Sequence, residues 1–141
     1  MGEKALPSDV NKKSEAVPKK KSSKKRLVTH GRAYIQATYN NTIISITDPA
    51  GDVVSWSSAG HMGFKGPKKA TPYAASIIVR EALDKAKNMG LRSVDVFVKG
   101  VGAGREGAIR AINANNISIM SIKDITPIPH NGCRPPKIRR V

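Results

Sequence analysis

Acids, aromatics and cysteine are all scarce in these 141 residues: ten Asp and Glu, one Trp, two Phe, three Tyr and one Cys. The lone thiol, Cys133, excludes an intramolecular disulfide and fits a reducing compartment. With it stand only three dispersed histidines, His30, His61 and His130, too few and too scattered for a structural zinc site, so no metal is expected. No apolar run approaches the roughly 20 residues that a membrane span needs. The first residues lack the apolar core of a secretory signal, and they favour Lys over Arg without the amphipathic pattern of a transit peptide.

Against ten acids stand 25 Lys and Arg, for a formal charge of +15. That charge is concentrated at the ends. Residues 1–26 hold nine cations and three acids, a net +6, and residues 127–141 hold four cations and no acid. The middle, 27–126, holds twelve against seven and is nearly ordinary. Charge kept for solubility alone could as well be acidic; two basic arms on a balanced domain point to nucleic acid. The length allows one core with extensions. The expected division is a disordered basic arm over 1–26, a domain over 27–125 and an extended tail over 126–141. The first arm, ending in Lys24, Lys25 and Arg26, is either an RNA-binding extension that orders on contact or a solvated tail.

Order is expected from Leu27 onward. Ala33–Thr38, Thr42–Thr47 and Val53–Ser57 read as β-branched, partly alternating strands. Asn40-Asn41 suits a tight turn through its tolerance of positive φ, and Asp48-Pro49-Ala50-Gly51 gives a second turn with Gly51 left-handed. The three strands therefore form an antiparallel meander. Residues 58–71 form a loop of small and basic residues, in which Lys65, Lys68 and Lys69 surround Phe64. Either Phe64 offers a stacking surface beside phosphate-binding lysines, or it plugs the core while the lysines are solvated. Thr71-Pro72 starts an alanine-rich helix, Thr as cap and Pro in the first turn, that Gly90 ends. Ser93–Lys99 is a fourth strand, a short helix runs through about Ala114, and Ile117–Ile122 is a fifth strand. The order β-β-β-α-β-α-β predicts an α/β fold: a five-stranded mixed sheet packed with two helices.

Between Lys99 and the second helix lies Gly102-Ala103-Gly104-Arg105-Glu106-Gly107, a literal GxGxxG after a strand and before a helix. A dinucleotide-binding enzyme is the strongest enzymatic reading, and Asp124 lies 17 residues beyond Gly107, near the position of an acidic ribose ligand. Yet only 17 residues remain after Asp124, all proline-rich or cationic, which leaves no room for a second mononucleotide half. The alternative is that Gly102 and Gly104 amides, with the Arg105 fork, receive an RNA phosphate at the helix start. No catalytic set of Ser, His and Asp, no carboxylate pair and no cofactor is indicated elsewhere.

The tail, Asp124 to Val141, carries Pro127, Pro129, Pro135 and Pro136, which bar both a helix and a central strand. Arg134, Lys137, Arg139 and Arg140 have no acid after Asp124 to neutralise them. A stiff, extended cationic segment fits a course along an anion. Its Thr126–Lys137 run, TPIPHNGCRPPK, resembles the closing segment of the bacterial-type small-ribosomal-subunit protein eleven family. The resemblance extends over about Val28 to Val141 through Asn40-Asn41-Thr42-Ile43, Thr47-Asp48 with Gly51, Gly63-Phe64, Thr71-Pro72, Lys99-Gly100 with Gly102, and Gly104-Arg105-Glu106. The chain departs from the family where Val101 and Ala103 replace two loop prolines, and at His61, Met62, Pro67 and Ala70.

That resemblance implies a ribonuclease-H-like architecture and a non-enzymatic structural role on the platform of the small subunit. It implies partners as well: small-subunit rRNA, the family counterparts numbered seven, eighteen and twenty-one, and proximity to the mRNA exit path. No membrane or small-molecule substrate goes with it, and the location is the ribosome, cytoplasmic or organellar. Expected RNA contacts are Lys24, Lys25, Arg26, Asn40, Asn41, Lys65, Lys68, Lys69, Lys99, Gly102, Gly104, Arg105, His130, Asn131, Arg134, Lys137, Arg139 and Arg140. A free RNA-binding regulator is the alternative outside the ribosome.

In Asn131-Gly132 the glycine leaves the asparagine side chain open to attack by the following amide nitrogen, which yields aspartate or isoaspartate. A plain turn role for Asn131 is the competing reading. The deamidation reading predicts converted Asn131 in peptide maps of aged ribosomes, and a map with only intact asparagine removes it.

Overall fold

A computed structural model describes residues 27–138 and residue 140; the expected basic arm over 1–26, together with Arg139 and Val141, lies outside the described residues. The chain runs β1 (His30–Ala37), β2 (Thr42–Thr47), β3 (Val53–Ser58), α1 (Pro72–Lys87), β4 (Ser93–Lys99), α2 (Gly104–Ala114) and β5 (Ser118–Asp124), with a short 3₁₀ helix at Gly66–Ala70. The strands form one sheet in the order β3-β2-β1-β4-β5. β1, β2 and β3 are the antiparallel meander, and β4 and β5 join parallel to β1. Parallel neighbours require crossovers, and α1 and α2 supply them.

Alternation decides which side of the sheet the helices cover. Ala33, Ile35, Ala37, Ile44, Ile46, Val94, Val96 and Val98 are all buried, and with Ala75, Val79, Ala82, Leu83, Ala108 and Ile112 they make one aliphatic core. Alanines on α1 let it sit close to β2 and β3. Two serines of β3 also point to that side: Ser55 Oγ donates to the Ala82 carbonyl at 2.8 Å and Ser57 Oγ to Glu81 Oε2 at 2.6 Å. These bonds satisfy hydroxyls that the interface with α1 buries.

The helix start and the turns show how local chemistry sets these elements. Thr71 caps α1, its Oγ1 accepting from the Ala74 amide at 3.2 Å, with Pro72 in the first turn. Gly51 takes φ +106°, and Asp48 Oδ1 accepts from the Gly51 and Asp52 amides. The β1–β2 turn differs from expectation: neither Asn40 nor Asn41 has positive φ. Instead Thr38 organises it, its Oγ1 accepting from the Asn41 amide at 3.0 Å while its own amide donates to the Asn41 carbonyl. A threonine side chain here does the work assigned to asparagine. The strand bounds also shift: β1 begins three residues earlier than expected, and β5 runs on to Asp124 because it pairs parallel with β4 as far as Val98.

Candidate nucleic-acid interface

Because β1, β4 and β5 are parallel, their carboxyl ends lie together, beside the start of β2 and the end of β3. Four irregular segments therefore leave the same end of the sheet: residues 38–41, 59–71, 100–103 and the tail from Ile125. Both helices also begin there. Nearly all the candidate contact residues that the structure describes fall on these segments. Asn40 and Lys69 line one hollow with Gly66 and Pro67. Lys65, Lys68 and Lys99 are exposed, Lys69 is half-buried, and none of the four makes an ion pair among the described residues. Phe64 is half-buried and lies edge-on to Tyr73 at 6.3 Å, outside the aliphatic core.

The glycine loop is closed upon the protein. Gly102 and Gly104 are buried, and the Gly102 amide donates to the Ala37 carbonyl at 3.0 Å. A Cβ on Gly102 would overlap the Thr38 carbonyl, and one on Gly104 would overlap Thr42 Oγ1. Gly107 is pressed against Pro72, which a Cβ would approach to 2.9 Å. These glycines let α2 and its preceding loop meet the β1–β2 turn and the start of α1 in near-backbone contact. That need explains the GxGxxG spacing without a cofactor. Val101 and Ala103, where the family pattern has two loop prolines, are exposed.

Arg105 is likewise turned inward. One guanidinium nitrogen donates to the Gly100 carbonyl at 2.8 Å and another to Asp124 Oδ2 at 2.7 Å. Asp124 Oδ1 accepts from the Thr126 hydroxyl at 2.6 Å and the Thr126 amide at 2.9 Å. These Thr126 hydrogen bonds, followed by the Arg105 bond and charge, hold the Asp124 carboxyl far below the usual carboxylate range. Thr126 Oγ1 also accepts from the Gly100 amide at 3.1 Å, and the Ile125 amide donates to Val98. The set ties the glycine loop to the base of the tail. Glu106 pairs with Arg110 one turn along α2. Sequence spacing did not reveal the Arg105–Asp124 pair, since its members lie 19 residues apart on different elements.

Among the described residues beyond Thr126 the tail has no helix or strand, and these residues, His130, Asn131, Arg134, Lys137 and Arg140 among them, are exposed. Asn131 is left-handed at φ +56°. Lys24, Lys25, Arg26 and Arg139 lie outside the described residues.

Comparison with known proteins settles which kind of molecule carries this arrangement. Residues 31–140 match the family model described as ribosomal protein S11. The chain belongs to that family. It is a structural ribosomal protein, and enzymatic use of the glycine loop is ruled out with it. A curated relative, small ribosomal subunit protein uS11 of Bdellovibrio bacteriovorus, is 56% identical over 132 residues, which cover 94% of this chain and all of the relative.

Two predictions test the closed loop. Gly104→Ala gains up to about 1 kcal/mol of helix propensity but meets a threonine that is fully buried and cannot swing away. The expected net is a loss of roughly 1–3 kcal/mol in urea unfolding, with much of it recovered when Thr42→Ala is added; absence of rescue would move the obstacle elsewhere. Asp124 has a folded pKa below its unfolded one, so its stabilisation is present above about pH 4 and fades as pH falls. Thermal unfolding across acid pH is expected to show a weaker pH dependence in Asp124→Asn than in the parent, whereas identical profiles would make the carboxylate unimportant to stability.

Proposed function

We propose that this protein is a structural constituent of the small subunit platform, on the mRNA exit side, where it binds rRNA and helps the platform assemble. The observation that supports this most is the gathering of unpaired lysines and the tail at one end of the sheet. Lys65, Lys68, Lys69 and Lys99 offer ammonium groups to phosphate there, beside Asn40 and Asn41. Arg134, Lys137 and Arg140 continue the same cationic surface along the tail; Lys24, Lys25, Arg26 and Arg139, outside the described residues, are further candidate phosphate contacts. Prolines stiffen the tail, which lowers the entropy lost when it threads between RNA elements. Gly102, Gly104 and Arg105 act in this reading as the internal support of the interface. The division into arm, domain over 27–125 and tail over 126–141 follows the same logic: a folded body that positions two extensions.

Platform neighbours are the counterparts numbered seven, eighteen and twenty-one, and the working location is the cytoplasmic ribosome. A free RNA-binding regulator is the competing role, and sedimentation separates the two: stoichiometric migration with small subunits through high salt supports the constituent, and migration at the top of the gradient the regulator. The tail itself is tested by salt. Deleting residues 134–141 is expected to weaken RNA binding and to flatten its dependence on log salt by up to about 3 to 4 units, the share of four phosphate contacts. An unchanged slope would mean that these cations touch no phosphate.

A further inference from the structure

Both helices lie on one side of the sheet, and the other side carries a row of side chains that the interface above does not use. Strand register places Trp56, Ser45, Tyr34, Phe97 and Lys123 next to one another, on β3, β2, β1, β4 and β5 in turn. Three of the chain's six aromatic rings stand in this row. Tyr34 and Phe97 are stacked, centroids 5.0 Å apart and planes 16° from parallel. Trp56 is 52% exposed, and its indole leans toward His61 at 5.3 Å. Between Tyr34 and Trp56 the floor is a serine. With strands about 4.8 Å apart, the two aromatic residues are anchored roughly 9.6 Å from each other.

The surroundings favour an anionic guest. Lys99 and Lys123 are exposed on the same side, and Arg32 stands beside Tyr34 on β1. The one acid facing this surface from β4, Asp95, is occupied by Ser121 at 2.7 Å and His30 at 3.0 Å. We propose that this open face is a second RNA contact: an unpaired base of a single-stranded segment stacks on Tyr34 over Ser45, with Trp56 at the outer end of the row and Lys99 and Lys123 on its phosphates. Stacking on exposed aromatic rings is the way sheet surfaces hold single-stranded bases, and it tolerates any base. The proposal rests on the RNA-binding role above but assigns it a place the tail does not reach through charge alone.

Trp56 is the only tryptophan, so its emission reports on this face. The full chain is titrated with an end-labelled, unstructured RNA of about a dozen nucleotides and with a ribose-phosphate strand of equal length that lacks bases. RNA is expected to raise label anisotropy and change Trp56 emission over the same concentrations, while the base-free strand binds without the emission change. Ser45→Leu, which fills the floor and keeps every ring, and Tyr34→Leu are each expected to weaken RNA binding roughly 5- to 150-fold, Ser45→Leu with unfolding temperature retained. Anisotropy that rises with Trp56 emission unmoved overturns this face as a base site and leaves the tail-based role intact; a protein side chain as its natural guest would give that result. Should neither signal respond to RNA, the RNA-binding role itself falls.

Discussion

The arrangement depends on how closely α2 and its glycine loop approach the end of β1. Gly100 and Gly102 sit over the Ala37 and Thr38 carbonyls, and Gly104 sits against Thr42, at distances that admit no side chain. This contact fixes where the second crossover leaves the sheet, and therefore where β5 pairs. It also brings the Gly100 carbonyl to Arg105 and, through Arg105, to Asp124. The tail begins two residues later. One steric constraint thus settles the position of the loop, the last strand and the base of the cationic extension.

Electrostatics then divides the cations into two groups. Arg105 and Arg110 are neutralised by Asp124 and Glu106, and serve the fold. Among the described residues Lys65, Lys68, Lys69 and Lys99 have no such acid, and remain available to a phosphate backbone. An exposed pair such as Arg110–Glu106 contributes little stability, so its effect is mainly to keep that arginine on the helix surface. Charge count alone would have treated all six alike.

Much of the architecture was legible because the relevant signals are local. Alternating valines mark Ser93–Lys99, and Thr71-Pro72 with Gly90 brackets α1. The tail motif marked the family. What escaped the sequence is what depends on distant partners. GxGxxG looks the same whether its glycines face a phosphate or the backbone of β1, and only the fold decides. Arg105 read as an open fork because Asp124 sits at the end of β5, beyond the helix that carries Arg105. The row from Trp56 to Phe97 draws one residue from each of four strands, so no window of sequence contains it. At the β1–β2 turn, two asparagines masked the threonine that does the bonding.

The place of β1 in the sheet has a kinetic meaning. Its β2 neighbour follows after a four-residue turn, while its β4 neighbour pairs His30 with Ser93, 63 positions later. During synthesis the meander can close as soon as β3 appears, but the other edge of β1 stays bare until α1 and β4 have been made. An unpaired edge between apolar residues invites association with other chains. The domain is therefore exposed to misassembly during one definite interval of its birth, and the arrival of β4 ends that interval.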